Sequence, residues 1–203
     1  MNLLLAALCT AAMGKLTPES KTYVDSVEGN SPTHKVGCLL NFNGNIFDLH
    51  HLQKDAETQQ SYRVLYEDKW GTNQLDFNIC GPTRRLCDDE LPDYANLLSA
   101  NQTCTHLTTT VNPKHEHRDE PGVFSLLDAN FPNAGLRLEY EGDSVCDVGR
   151  NKRFGVTVDL VCNPKVLEAI YALDIASLSD PCHPQIFLSS QHACATKEAS
   201  ILS

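Results

Sequence analysis

Two histidine pairs are the residues whose spacing first suggests chemistry, because imidazole binds metals and transfers protons near neutral pH. His50 and His51 are adjacent, whereas His115 and His117 alternate and would share one face of a strand. The second pair lies in a charged, proline-flanked segment, residues 112–122, which is typical of an exposed loop. Both pairs are interpreted as surface residues, and no metal site is predicted.

Motifs of hydrolases and nucleotide-binding proteins are missing from the sequence. It has no nucleophile elbow G-x-S-x-G, no zinc motif H-E-x-x-H and no P-loop. The acidic run Asp88-Asp89-Glu90 is contiguous in a predicted loop, whereas catalytic carboxylates must face each other across a cleft. We therefore expect a protein that is not an enzyme and that needs no cofactor.

The cysteines indicate both the compartment and the kind of fold. Residues 1–14 form a short apolar run closing on small residues, which is typical of a signal peptide and too short to span a membrane. Its removal takes Cys9 away and leaves an even number of cysteines, which indicates disulfides in an oxidising compartment. A cysteine in a disulfide cannot act as a nucleophile, so a cysteine-dependent enzyme is not expected. The sequence also lacks a C-x-x-C pair of the kind that binds zinc. Four bridges allow about a hundred pairings, which cysteine counting leaves open.

Composition limits the partners. The formal charge of −10 argues against nucleic acid and against anionic membrane surfaces, both of which attract basic patches. The hydrophobic fraction of 41% is enough for one sizeable core. No other segment is long and apolar enough to cross a bilayer, so we expect a soluble protein that is luminal or secreted.

Short alternating segments separated by turn residues predict an all-β sandwich or barrel. Residues 61–66 and 75–80 alternate around a turn and predict a hairpin, and Leu136, Leu138 and Tyr140 face one side of a later strand. A helix is predicted only over residues 164–173 and, as a short segment, before Ala100.

Four pieces of sequence, taken in order, look like the motifs of one known family. Phe47-Asp48-Leu49-x-x-Leu52 looks like an opening F-D-L-x-x-L, and Asn78-Ile79-Cys80 is similar to a strand end N-[VI]-C. Leu138-x-Tyr140-x-Gly142-Asp143-x-x-Cys146 looks like L-x-Y-x-G-D-x-C with one additional residue, and the spacing of Cys182 and Cys194 is similar to a closing cysteine pair. Together these pieces, over residues 36–196, resemble the mannose 6-phosphate receptor homology (MRH) domain.

The resemblance implies a flattened β-barrel or sandwich of two crossed antiparallel sheets, stapled by disulfides. It implies the pairings Cys38–Cys80, Cys87–Cys104, Cys146–Cys182 and Cys162–Cys194. The chain then divides into a signal peptide (1–14), a flexible lead-in (15–35), an MRH-like domain (36–196) and a tail (197–203). Family members are lectins or trafficking proteins of the endoplasmic reticulum, Golgi, endosome and lysosome.

The sugar site of the family uses a glutamine, an arginine, a glutamate and a tyrosine, which grip the mannose hydroxyls as rigid donors and acceptors. Arg153 stands near the arginine position, one residue further from Cys162 than in the family, so a bulge is needed to aim it inward. Asp174 stands at the glutamate position, and Glu168 is an off-register substitute.

The other two positions of the sugar site depart further from the family. Gln102 is the nearest glutamine, but it lies inside Asn101-Gln102-Thr103, a sequon that predicts N-glycosylation of Asn101 on an exposed loop. Pro184, which has no hydroxyl, stands at the tyrosine position.

Two functions remain open. The first is a lectin of the secretory or endosomal pathway that binds mannose-type N-glycans, with or without phosphate, for glycoprotein sorting or quality control. The second is an MRH fold with a degenerate sugar pocket, which acts in protein interaction or trafficking or as a non-catalytic subunit of a glycan-processing enzyme. The lectin is slightly preferred because the prior from the family is strong, although Pro184 favours the second function. The sequence leaves the oligomeric state open.

Overall fold

A computed structural model describes residues 34–36, 38–55, 61–83, 87, 93–108, 122–174, 176, 180 and 182–197. The predicted signal peptide, most of the predicted lead-in, the acidic run at 88–90 and the pair His115 and His117 lie outside the described residues.

Thirteen strands form the described part of the chain, and no α-helix occurs in it. The strands are β1 (His34–Val36), β2 (Leu39–Phe42), β3 (Asn45–Asp48), β4 (Tyr62–Asp68), β5 (Gly71–Phe77), β6 (Ala95–Leu98), β7 (Cys104–His106), β8 (Val123–Leu126), β9 (Gly135–Asp147), β10 (Lys152–Cys162), β11 (Ile170–Leu173), β12 (Gln185–Ser190) and β13 (Thr196–Lys197). Single 3₁₀ turns occur at His50–Leu52, Pro132–Ala134, Val148–Arg150 and Gln191–Ala193. The prediction of an all-β fold is confirmed.

The strands form three hydrogen-bonded sheets. The first has the order β1-β2-β3-β13, the second β4-β5-β6-β7 and the third β11-β12-β10-β9-β8. Neighbouring strands are antiparallel except β10 and β12, which are parallel and are joined by the crossover 163–184. The resemblance implied two crossed antiparallel sheets; the described strands form three sheets, of which one contains this parallel pair.

The core collects the inward faces of all three sheets. As predicted, Leu136, Leu138 and Tyr140 are buried, while Glu139 and Glu141 on the other face are exposed. The hydroxyl of Tyr140 donates to the carbonyl of Asn78 at 2.9 Å, which satisfies this buried group and ties β9 to the end of β5. Further core side chains are Leu40, Phe42, Phe47, Leu52, Leu75, Phe77, Phe124, Val156, Val158, Leu160, Ile186 and Leu188.

Both helix predictions are wrong. Residues 164–169 are irregular, and Ile170–Leu173 form β11, which pairs antiparallel with β12 from Ile170 opposite Ser189 to Leu173 opposite Ile186. The segment before Ala100 is β6, between β5 and β7. In both segments pairing with neighbouring strands outweighs the weak local preference for helix.

All four disulfides are those that the resemblance implied. Cys38–Cys80 links the first sheet to the segment after β5, and Cys87–Cys104 fixes the start of β7. Cys146–Cys182 and Cys162–Cys194 bracket β9, β10 and β12. Four structural disulfides are typical of extracellular and luminal proteins. Among the residues that the structure describes, no helix is long and apolar enough to span a membrane.

Candidate functional site

Arg153 lies on a bulge, as its off-register position required, because the pairing of β9 with β10 shifts on both sides of it. Its Nε lies 3.8 Å from Oε1 of Glu141, and its Nη1 lies 3.7 Å from Oδ1 of Asp143. The three side chains are 50%, 68% and 61% exposed, so these ion pairs are screened by water. Arg153 thus belongs to an exposed charged group on the β9–β10 hairpin.

Asp174 lies directly after β11 and is held in a local turn. Its backbone N–H donates to the carbonyl of Gln185 at 2.8 Å, and its Oδ1 accepts from the N–H of Ala176 at 3.0 Å. The strand order places it two strand spacings, about 10 Å, from β10, and Arg153 lies about 13 Å further along that strand. The structure therefore does not bring the side chains of Asp174 and Arg153 together.

Gln102 lies at the exposed tip of the turn between β6 and β7, with a positive φ of 65°. Its N–H donates to the carbonyl of Ser99 at 2.8 Å. This turn belongs to the second sheet, whereas Arg153 and Asp174 belong to the third.

Glu168 lines a cavity of about 500 Å³, here called the β4 cavity, where β4 and β11 form the edges of their sheets. The walls are the segments around the 3₁₀ turn His50–Leu52, the start of β4, residues 167–171 and the turn Gln191–Ala193. Its polar and aromatic lining consists of His51, Lys54, Arg63, Glu168, Tyr171 and His192. A volume of this size is in the range of small-ligand sites.

Arg63 is the most rigid donor of the β4 cavity. Its Nε and Nη2 each donate to one carboxylate oxygen of Asp76 at 2.9 Å, and Asp76 is fully buried. Gln74 donates a third hydrogen bond to Asp76 at 3.2 Å. The hydrogen bonds with Asp76 raise the pKa of Arg63 and hold its guanidinium in one orientation, while 36% of the side chain is exposed.

Two tyrosines form the aromatic part of the cavity. The ring of Tyr171 meets that of Tyr62 edge-on, with centroids 5.2 Å apart, and Tyr62 stacks on Phe77 at 5.1 Å. Tyr62 donates to the carbonyl of Leu52 at 2.9 Å, and burial raises its pKa, so its hydroxyl stays protonated. Tyr171 is 36% exposed and presents part of its ring to the cavity.

The imidazoles of His51 and His192 stack with centroids 4.5 Å apart at the cavity wall. Burial lowers the pKa of His192, and the neighbouring His51 lowers it further. A charge on His51 therefore opposes the protonation of His192.

A second polar group lies around the buried carboxylate of Asp93. This carboxylate is bonded to Nδ1 of His106 and accepts from Oγ1 of Thr108 at 3.4 Å. The sulfur of Cys87 lies close to both acid and imidazole, but it is bonded to Cys104 and is not a thiolate. The group of Cys87, Asp93 and His106 therefore offers a metal ion at most two ligands.

The sequence prediction named Glu168 but missed the other cavity residues. Arg63 was within reach of the sequence, because in the predicted hairpin of residues 61–66 and 75–80 the side chains that point away from the core lie opposite each other across the two strands. In the structure Arg63 lies opposite Asp76. Tyr171 fell in a segment predicted as helix, and no local signal distinguishes His192.

Comparison with known proteins finds neither a matching protein family nor a matching curated protein. Solved structures do match. Domain 11 of the echidna mannose 6-phosphate/IGF2R receptor is 17% identical, with a TM-score of 0.49, over 81% of this chain and 97% of that domain. Chicken IGF2R domain 11 is 14% identical, with a TM-score of 0.44, over 74% of this chain and 85% of that chain. At such identities and scores the likeness assigns no binding residue.

Proposed function

We propose that this chain is a non-catalytic glycan-binding domain of the secretory or endosomal lumen, and that it binds mannose-type N-glycans in the β4 cavity. The observation that carries the proposal is that a carboxylate, a fixed guanidinium and an aromatic ring line one cavity, namely Glu168, Arg63 and Tyr171.

These three groups supply the interactions that a pyranose needs. The exposed carboxylate of Glu168 can accept from two adjacent hydroxyls. Arg63 uses the N–H of Nε and one N–H of Nη2 for Asp76, and its remaining N–H groups can donate to ring and hydroxyl oxygens. The half-exposed ring of Tyr171 offers a flat surface for the C–H face of the sugar. Because Asp76 already fixes Arg63, little side-chain entropy is lost on binding.

The luminal part of the proposal rests on the four disulfides, which persist in oxidising compartments. Sorting or quality control of glycoproteins is the role that such a lectin would serve there.

A glycan array tests the proposal directly. We expect wild type to bind high-mannose glycans and Glu168→Ala to lose most of the signal, because truncation removes the hydroxyl acceptor. Glu67→Ala is the matched control, since Glu67 is an exposed glutamate on the same strand as Arg63 but lies outside the cavity lining, and it should bind as wild type does.

The variant Arg153→Ala distinguishes the β4 cavity from the site that the sequence predicted around Arg153, Asp174 and Gln102. Binding that survives Arg153→Ala and fails in Glu168→Ala supports the β4 cavity. Binding that fails only in Arg153→Ala places the site at the β9–β10 hairpin instead and refutes this assignment.

The second candidate function is protein interaction, and the β9–β10 hairpin favours it. Val145 and Val148 are 47% and 86% exposed on this hairpin, beside the charged group of Arg153, Glu141 and Asp143. Apolar side chains rimmed by charges are typical of protein-binding surfaces. An array without signal for wild type and for every variant would favour this function over the lectin.

A further inference from the structure

The predicted glycosylation site lies beside the only tryptophan of the chain. Trp70, between β4 and β5, and Asn101, between β6 and β7, line one cleft of about 430 Å³. We call this space the hairpin cleft; Asp68, Trp70, Asn73, Ser99, Ala100 and Asn101 line it. It belongs to the second sheet and shares no lining residue with the β4 cavity.

The two turns are fixed against each other. The N–H of Ala100 donates to Oδ1 of Asn73 at 3.1 Å. A Cβ on Gly71, which has a φ of +128°, would lie 3.1 Å from the Cβ of Ala100, so the backbones are in close contact. The hairpin cleft is therefore a shaped space and not a gap between two mobile loops.

Asn101 is exposed, and its oxygen makes the hydrogen bonds of its side chain. Its Oδ1 accepts from the N–H of Thr103 at 3.1 Å and lies 2.6 Å from the hydroxyl of Ser99. Both contacts use the oxygen, and neither of them involves Nδ2, the atom that carries an N-glycan. The residue is exposed, and Asn101-Gln102-Thr103 is the single N-x-S/T sequon of the sequence.

Trp70 has a large apolar surface that the folded chain leaves uncovered. It is 74% exposed, and the ammonium of Lys69 lies 4.0 Å from its ring centroid. An exposed indole of this size usually serves a contact, since tryptophan is rarely left in water. The nearby carboxylate of Asp68 already accepts from the backbone N–H of Trp70 at 2.7 Å and can also accept from a hydroxyl.

We propose that the N-glycan of Asn101 folds back into the hairpin cleft and packs its first N-acetylglucosamine on the indole of Trp70. The covalent bond determines which ligand enters the cleft, because a glycan on Nδ2 of Asn101 starts at a residue that lines the same cleft as Trp70. The effective concentration of this sugar at the ring is therefore high, and a weak stacking contact suffices. The glycan then covers an apolar patch and joins the two turns.

The fluorescence of Trp70 tests the proposal without a label, because the chain has one tryptophan. The chain is secreted from eukaryotic cells, and occupancy of Asn101 is measured on the glycopeptide by mass spectrometry. Acrylamide quenching is compared among the intact glycan, the glycan trimmed to one N-acetylglucosamine and Asn101→Gln. We expect quenching to increase about twofold in Asn101→Gln and to stay low in the trimmed form, because the first sugar covers the ring.

Melting temperatures give the second measurement. The glycan should raise the melting temperature of wild type and have no effect in Trp70→Ala. The matched control is Phe131→Ala, which removes another exposed aromatic side chain, 59% exposed and outside the cleft lining, and should keep the stabilisation by the glycan. An unoccupied Asn101, or equal quenching with and without the glycan, would overturn the proposal. Neither result bears on the β4 cavity, which the array tests separately.

Discussion

At the scale of single residues, the stacked rings of His51 and His192 make the β4 cavity sensitive to acid. Burial and the neighbouring ring of His51 lower the pKa of His192. The carboxylate of Asp48 acts in the opposite direction and raises it, but by less. Asp48 is itself hydrogen-bonded to His50 at 2.7 Å, which lowers the pKa of that carboxyl. A proton therefore binds His192 less readily in the folded chain than in the unfolded one.

This linkage predicts how stability depends on pH. The pKa of His192 in the folded chain lies below the ordinary value of 6.5. The contribution of neutral His192 to the free energy of unfolding is therefore complete above pH 6.5 and is lost as pH falls through the folded pKa. NMR titration should give a midpoint for His192 below 6.5 that moves upward in His51→Ala. Thermal melts should fall less between pH 7.5 and 5.5 in His192→Gln than in wild type.

His183 is the internal comparison for that titration. Its pKa is lowered mainly by burial and then by Lys152, and not by a second imidazole. His51→Ala should therefore leave the midpoint of His183 unchanged. A His192 midpoint equal to that of a free imidazole would contradict the proposed coupling.

At the scale of strands and sheets, two sheets carry the same polar arrangement across paired strands. In the second sheet Arg63 lies directly opposite Asp76, and in the third sheet Arg137 lies directly opposite Asp159. Arg137 donates to Asp159 at 2.7 and 3.0 Å, and Gln185 from the neighbouring strand donates at 2.6 Å. Each buried carboxylate is thus satisfied by an arginine and a glutamine. These hydrogen bonds fix the register of three strands in the third sheet and of one hairpin in the second sheet.

Asp159→Asn should show the weight of this arrangement. The substitution removes the negative charge and replaces one of the two acceptor oxygens by an NH2 donor that faces the donors of Arg137 and Gln185. We expect a loss of about 2–3 kcal/mol of unfolding free energy, below the full cost of breaking a buried pair because Arg137 is 40% exposed. Urea unfolding measures the change. Glu141→Gln, which removes an exposed partner of Arg153, should cost about 0.5 kcal/mol or less. Equal losses in the two variants would show that burial of Asp159 does not matter.

The sequence predicted some strands well and others poorly, for a physical reason. Where one face of a strand is buried and the other is exposed to solvent, apolar and polar residues alternate in the sequence, as they do around Leu136, Leu138 and Tyr140. In β10 residues 155–160 are buried on both faces, since Asp159 lies beneath Arg137 and Gln185. The alternation of Val156, Val158 and Leu160 still predicts a strand there. β11 has only four residues with little burial, so only pairing with β12 defines it.

At the scale of the whole molecule, disulfides hold the three sheets together. Cys38–Cys80 joins the first sheet to the segment between β5 and β6 of the second, and Cys162–Cys194 joins the third sheet to the segment just before β13 of the first. Their positions followed from the family resemblance, whereas cysteine counting alone left the pairings open.

Loop length should rank the contributions of the disulfides. Cys38 and Cys80 are 42 residues apart, so replacing both by alanine should cost about 4 kcal/mol of unfolding free energy, against about 3 kcal/mol for Cys87 and Cys104, which are 17 residues apart. Guanidinium unfolding of the oxidised variants measures the difference. The reverse ranking would mean that packing around the buried sulfurs, and not chain entropy, sets the cost.

The β4 cavity could not be predicted from the sequence because it joins distant segments. The backbone N–H of Arg63 lies 3.5 Å from the hydroxyl of Tyr171, across 108 residues of chain. Its third wall comes from the turn that contains His192. No local pattern records which sheet edges meet, so the sequence named Glu168 through the family resemblance and put Arg63 within reach through the predicted hairpin, but it did not show that the two line one cavity.

The pairing of β13 with β3 also governs when the domain can fold during synthesis. Thr196 lies opposite Ile46, so the first sheet stays open at that edge until almost the whole domain has left the ribosome. Cys162 must likewise wait for Cys194. A nascent chain therefore carries an unpaired strand edge from the synthesis of β3 until that of β13, and the thiol of Cys162 stays free while the next 32 residues, up to Cys194, are added.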